Sequence, residues 1–399
     1  MRSTMQIRLA VPSALCWLGM SLAVGSASGQ VRPNSYQGPS NRRSAPATAP
    51  VLHPDRSATL KVRAPNAQSV AVVFDEGDLA MGLAQLDIPM ARDSQGIWAV
   101  TVGPLDPGIY GYVFRIDGVR TPDMANHEVY ISRQAHISML EVLASPPAMD
   151  QYREVPHGAV HRHRYRSSVL GIERTVYVYV PPQYEAGTSG RFPVLYFRHG
   201  NYEGEATWSG PGRANVIMDN LLAERRVVPM VIVMPNGYPG PFGEGNTTEG
   251  MALTSRELVE DIIPYIEQNY RVASDRESRA IAGFSMGAQQ AIYTGLKHMD
   301  RFAWIAEVSS GLISSASFEA SDWFGDLLAS PGRANSQLRL LYLGCGMEDP
   351  RVTGHLNLSD RFTAAGVAHR LFTAPGGHDF RFGRLALTDL LPRLFRDSS

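Results

Sequence analysis

The chain has 399 residues, 44% of them apolar and 19% charged, which is enough apolar material for a sizeable core and excludes wholesale disorder. Lys+Arg number 37 against 38 Asp+Glu, a net charge of -1, so no basic field advertises nucleic acid or an anionic membrane as a partner. The two cysteines, Cys16 and Cys345, exclude a disulfide scaffold and a cysteine-built zinc site.

Arg2 and Arg8 precede an apolar run from Leu9 to Val24, and the small residues of 25–29 follow. This order predicts a secretory signal peptide over 1–27. The run is short and holds Pro12, which favours cleavage over a membrane anchor. The expected address is therefore secreted or periplasmic, with no membrane span after cleavage. Residues 28–57 are rich in Pro, Ser, Asn, Ala and Arg without a hydrophobic period, and predict a disordered linker.

Residues 58–145 read as short strands at 58–65, 69–74, 96–102 and 110–118, separated by P-N, P-L-D-P-G and D-G turn chemistry. Strands at this spacing without intervening helices predict a small β-sandwich. The segments A-P-N-A-Q-S-V-A-V-V, D-S-Q-G-I-W-A-V-T-V-G-P-L-D-P-G-I-Y-G-Y-V-F and D-G-V-R-T-P-D resemble the immunoglobulin-like E-set module found ahead of esterase domains. That module is related to glycogen-binding carbohydrate modules, so the resemblance implies either a structural cap or a polysaccharide holder. Trp98, Tyr110 and Tyr112 are the aromatics able to stack on sugars, although Trp98 is equally placed for the core.

Beyond the Pro146–Pro147 hinge the texture changes, and 146–399 reads as a second domain. Two early strands, 161–167 and 174–182, lead into apolar strands at 192–198, 228–235, 279–284, 303–309 and 338–344 that alternate with helical segments. This alternation predicts an α/β doubly wound sheet. A helix is expected over 255–270, kinked at Pro264.

G-F-S-M-G at 283–287 lies directly between a strand and a helical segment, the context of a nucleophile elbow with Ser285 at its tip. A serine hydroxyl needs a base, and His378 in P-G-G-H-D-F follows a short strand near the end of the sheet. The orienting acid belongs at a strand end between the two, where Asp349 and its neighbour Glu348 compete; Asp360 and Asp379 are less well placed. The backbone N–H of Met286 is one oxyanion donor by construction, and the Asn201 amide in R-H-G-N-Y-E-G is the expected second. His199 is assigned to that oxyanion strand. His157, His161 and His163 lack a neighbouring acidic or cysteine cluster and read as exposed strand residues, so no metal is expected. Cys345, after an apolar run, reads as a buried inert thiol.

Several segments also resemble the esterase D-like family, which includes carbohydrate esterase family one. They are F-P-V-L-Y-F-R-H-G-N-Y-E-G, W-S-G-P-G-R-A-N-V-I-M-D-N-L-L, P-M-V-I-V-M-P-N-G, R-A-I-A-G-F-S-M-G, G-C-G-M-E-D and P-G-G-H-D-F. The resemblance implies an α/β-hydrolase fold, a Ser285–Asp349–His378 triad and no cofactor. It implies a serine ester hydrolase, with feruloyl and acetylxylan esterases leading among secreted members. The substrate partner would be an ester-decorated polysaccharide or a small ester. A siderophore trilactone esterase, an acyltransferase and a non-catalytic carbohydrate-binding protein are the alternatives. The chain departs from the family at Ala288, where a second glycine is common, and after His378, where H-x-W-x-x-W-R becomes Phe380, Gly383 and Arg384.

Overall fold

A computed structural model describes residues 49–74, 86–131, 136–187, 190–240, 244–314 and 318–396. The expected signal peptide, and the linker up to residue 48, lie outside the described residues. The rest of the expected linker differs from its reading: β1 (Val51–Leu52) pairs antiparallel with β2 (Ala58–Arg63).

The N-terminal strands continue with β3 (Val70–Phe74), β4 (Asp87–Pro89), β5 (Ala91–Arg92), β6 (Ile97–Val102), β7 (Gly108–Ile116), β8 (Val119–Thr121), β9 (Val129–Ile131) and β10 (His136–Val142). They form two antiparallel sheets, ordered β1-β2-β6-β5 and β4-β3-β7-β10-β9, with β8 on β7. The D-G pair between β7 and β8 takes φ 47° at Asp117 and 86° at Gly118, a left-handed turn that matches strand twist. The sheets share one core that includes Leu60, Val72, Trp98, Tyr110, Tyr112 and Phe114. The three aromatics considered for sugar stacking therefore point inward. Their polar atoms are also engaged: Trp98 Nε1 donates to Ala64 O (2.9 Å), Tyr110 to Asp106 O (2.7 Å) and Tyr112 to Asp123 Oδ2 (2.8 Å).

The second sheet system comprises β11 (Ala159–Arg166), β12 (Glu173–Val180), α1 (Pro182–Glu185), β13 (Val194–Arg198), α2 (Ala214–Ala223), β14 (Val231–Pro235), α3 (Thr248–Glu257), α4 (Ile263–Asn269), β15 (Arg279–Phe284) and α5 (Met286–Lys297). It continues with β16 (Trp304–Val308), α6 (Ala320–Ala329), α7 (Pro331–Gln337), β17 (Leu340–Gly346), α8 (Val352–Ala365), β18 (Arg370–Ala374) and α9 (Phe380–Leu390). The eight strands run β11-β12-β14-β13-β15-β16-β17-β18, parallel from β14 to β18. Successive residues along β13–β17 alternate between two cores, one under α4, α5, α6 and α8 and the other under α2 and α9. Burial on both faces explains why these strands read as unbroken apolar runs.

The helix expected from 255 begins earlier, at Thr248, capped by Thr247 Oγ1 accepting the Gly250 N–H at 3.0 Å. The expected kink is a five-residue π turn, Leu258–Ile262, just ahead of Pro264, which has no N–H to continue the ladder.

The described residues cluster as one compact unit. Arg213 Nη2 fastens β10 to the rest through Glu141 Oε2 at 3.0 Å, and Asn220 Nδ2 holds the segment that follows β10 through the carbonyls of Met149 and Gln151, each at 2.8 Å.

Candidate active site

β15 ends at Phe284 and α5 begins at Met286, leaving Ser285 in the turn at φ 54° and ψ −112°. Two glycines make this possible. A Cβ on Gly283 would lie 2.2 Å from the Gly287 carbonyl, and one on Gly287 would lie 2.5 Å from Arg198 O. Glycine is therefore required where α5 seats against β13 and β15, and the serine holds a backbone conformation costly for an L-residue. Ser285 N–H donates to Val308 O (2.9 Å), which ties the turn to the neighbouring strand.

His378 lies between β18 and α9. Its Nε2 is 2.9 Å from Ser285 Oγ, and its Nδ1 is 2.9 Å from Asp349 Oδ2. The ring stacks on Phe284, with centroids 4.9 Å apart. Asp379 holds the loop by capping α9, accepting from Phe382 N–H at 2.9 Å and Gly377 N–H at 3.1 Å. Asp349 follows β17 with its side chain wholly buried. Burial by itself would raise its pKa, but hydrogen bonds from His378 and the Arg351 N–H, with the charge of Arg351, hold the carboxyl well below the usual range. Both Arg351 donors fall on Oδ1, the N–H at 2.9 Å and Nη1 at 3.1 Å, which leaves Oδ2 to His378. An ionised acceptor on Nδ1 keeps the proton there and turns the Nε2 lone pair toward Ser285.

The two competing acids point in different directions. Glu348 Oε2 accepts the Gly376 N–H, clamping the loop ahead of His378 without touching its ring. Asp360 is exposed on α8. Arg351 is a site residue that the sequence reading missed.

Around the serine, Met286 is the first residue of α5, so its N–H has no acceptor within the helix. Asn201 sits in a loop whose flanking amides are engaged: Gly200 N–H with Glu203 Oε2 (2.8 Å) and Tyr202 N–H with Tyr238 OH (2.6 Å). Tyr238 OH also reaches Asn201 Oδ1 at 2.8 Å. Burial pushes the Glu203 carboxyl up to about 8 against its Gly200 bond. His199 accepts the Gly237 N–H at Nε2 (2.8 Å), so its Nδ1–H donates to Gly200 O (2.8 Å) and pins the loop from below.

An aromatic wall backs His378. Trp208 lies 5.9 Å from Phe284 and 6.0 Å from Phe380 between centroids, and Tyr130 of β9 meets Phe380 at 6.1 Å. This arrangement accounts for the glycine after His378: a Cβ on Gly383 would sit 2.9 Å from Trp208 Cη2, so one indole already fills the space. The retained Arg384 is buried, donating from Nε to Asp150 Oδ2 at 2.6 Å and from Nη1 to Pro211 O at 2.9 Å. His157, His161 and His163 lie elsewhere. His161 and His163 share the Tyr270 hydroxyl, and His157 meets Asp219 at 3.1 Å. Cys345 is buried, and burial pushes its thiol up.

Comparison with known proteins places this site in context. A xylanase/feruloyl esterase of Xylanibacter ruminicola is 29% identical over 355 residues, covering 87% of this chain and 46% of its own length. An esterase of Mycobacterium tuberculosis is 27% identical, covering 58% of this chain and 59% of its own length. The chain thus spans about half the length of these curated relatives. A solved ferulic acid esterase of Anaeromyces mucronatus in complex with ferulic acid is 25% identical with a TM-score of 0.52, over 61% of this chain and 93% of that one. An enterobactin esterase of Shigella flexneri shares the fold at 17% identity and a TM-score of 0.58, over 84% of this chain and 92% of that one. The Esterase family model matches residues 167–394, which include Ser285, Asp349 and His378. The chain therefore belongs to that esterase family, on an α/β-hydrolase fold preceded by a β-rich region.

Proposed function

We propose that this chain is a secreted serine carboxylic-ester hydrolase that removes feruloyl or acetyl groups from plant polysaccharide through a Ser285–His378–Asp349 triad. The observation that carries the reading is the pair of 2.9 Å contacts joining the three side chains at a strained elbow. On this reading His378 Nε2 takes the Ser285 proton as Oγ attacks the ester carbonyl. Buried Asp349 stabilises the imidazolium, and the Met286 and Asn201 amides receive the oxyanion. The imidazolium then protonates the departing alcohol, leaving an acyl-serine. Water, deprotonated by His378, releases the acid and regenerates Ser285. No step requires a cofactor.

The feruloyl preference is supported by the relatives named for it. Residues 1–27 would direct export, and 58–145 would form an E-set-like module ahead of the 146–399 hydrolase domain. The Arg213–Glu141 pair and the Tyr130–Phe380 ring contact support a structural cap in that module, and the inward-facing Trp98, Tyr110 and Tyr112 weigh against sugar stacking through them. A trilactone siderophore esterase is the competing reading, favoured by the Shigella neighbour extending across 84% of the chain.

A panel of methyl ferulate, acetylated xylan and a catechol trilactone tests the proposal. Turnover of the ferulate or the xylan ester is expected. Turnover of the trilactone alone would overturn the substrate class, and failure even on p-nitrophenyl acetate would overturn the enzymatic reading.

A further inference from the structure

Glu307 stands in the apolar strand β16 with its side chain wholly enclosed. A carboxylate in such a place is costly unless it is paired. Its partner is His355 on α8, equally enclosed, with Nε2 3.2 Å from Glu307 Oε2. The other ring nitrogen, Nδ1, is 2.9 Å from the carbonyl oxygen of Arg351. Glu307 Oε2 also accepts the Ser310 N–H at 3.0 Å. With a carbonyl at one nitrogen and a carboxylate at the other, both ring nitrogens donate, and only imidazolium has two N–H groups. Burial disfavours that charge, but Glu307, with the neighbouring Cys345 sulfur, outweighs it and raises His355 to about 11.

The pair lies between the nucleophile and the acid. Val308, next to Glu307, accepts the Ser285 N–H at 2.9 Å. Arg351 receives both His355 Nδ1 and the His355 N–H on its carbonyl, at 2.9 and 3.2 Å. The same Arg351 donates its own N–H and Nη1 to Asp349 Oδ1. One run of contacts thus joins the Ser285 turn to Asp349 through Val308, Glu307, His355 and Arg351. Stability alone is a poor reason for such a pair, since well-packed apolar replacements of buried ion pairs are commonly neutral or stabilising.

We propose that Glu307 and His355 are positioning residues, a buried ion pair that holds Asp349 in register with His378 and Ser285. The proposal rests on Asp349 being the triad acid. The two side chains act through Arg351 and touch no reacting atom.

The test uses the full chain with Glu307→Gln, His355→Gln and the apolar double variant Glu307→Leu/His355→Leu. Sites are counted by the burst of p-nitrophenyl acetate, so rates refer to folded enzyme. The expected result is a fall in kcat per site of about 10-fold or more with KM little changed. The acid limb of kcat/KM should also move to lower pH, because a loosened Asp349 stabilises the imidazolium less. The double variant should regain thermal stability lost in the single variants without regaining kcat. Wild-type kcat and an unmoved limb in the folded double variant would overturn the proposal. Loss of folding in every variant would overturn it equally, assigning the pair to stability. Asp349→Asn is measured alongside: if that variant keeps its activity, the triad reading fails, whatever the pair does.

Discussion

Replacing Asp349 with asparagine changes one atom, and the structure dictates which way the new amide faces. Oδ1 accepts two donors from Arg351, at 2.9 and 3.1 Å, whereas Oδ2 accepts His378 Nδ1 alone among the described residues. The amide oxygen of the new side chain should therefore stay with Arg351 and turn its NH2 toward the ring. His378 must then present a bare Nδ1, which moves the ring proton to Nε2, 2.9 Å from Ser285 Oγ. A nitrogen that donates to the serine cannot take its proton. The protease case of the same substitution lost about 10⁴ in kcat, or about 5 kcal/mol of barrier, and a loss of that order is expected here. Steady-state kinetics on p-nitrophenyl acetate measure it, with a melting curve to show that the fold persists. The substitution also alters stability against pH. The Asp349 carboxyl is held below its usual range, so its stabilisation is fully present above the unfolded aspartate value of about 3.9 and is lost as pH falls through the lower folded value. The variant lacks this contribution, so its melting temperature should decline less steeply below pH ~4. An Asp349→Asn enzyme within ten-fold of wild type, beside a crippled Glu348→Gln, would refute the assignment of the acid.

Because His378 must be neutral to accept a proton, kcat/KM should rise with pH through a single ionisation; a flat profile between pH 5 and 8 would count against a histidine base. Gly383→Ala places a methyl 2.9 Å from Trp208 Cη2 and should cost about 1–3 kcal/mol by overpacking; an unchanged melting temperature would show that the indole yields freely. Deleting residues 28–145 removes Glu141 from buried Arg213 and Tyr130 from Phe380, so small-ester activity and melting temperature should fall together. If only activity on decorated xylan fell, the module would instead be a tether.

The parts of this fold that the sequence announced are those with a short-range cause. β15, the turn at Ser285 and α5 were legible because an apolar run, two glycines spaced around a serine and a helical period each act within a few residues. The choice between Glu348 and Asp349 was not local. The turn closed by Asp349 N–H on Gly346 O sends neighbouring side chains apart, one to the Gly376 amide and the other to His378, and no spacing encodes that divergence. The start of α3 at Thr248 was hidden because Thr and Gly give its first turn little helical signal, although the Thr247 cap was there to be read. The Glu307–His355 pair had a visible half: a glutamate inside the apolar W-I-A-E-V demands a buried partner. Its identity, 48 residues away, came only with the fold. The inward turn of Tyr110 and Tyr112 was likewise a property of sheet packing, since two aromatics two residues apart share a face without declaring which face is buried.

The central claim is that Ser285 carries the acyl group. Mixing the full chain with p-nitrophenyl acetate, quenching in acid during the burst and mapping the peptides by mass spectrometry tests this directly. The expected result is an acetyl adduct on the peptide holding G-F-S-M-G, localised to Ser285, and neither adduct nor turnover in a folded Ser285→Ala variant. An adduct on another residue, or turnover surviving in Ser285→Ala, would contradict it.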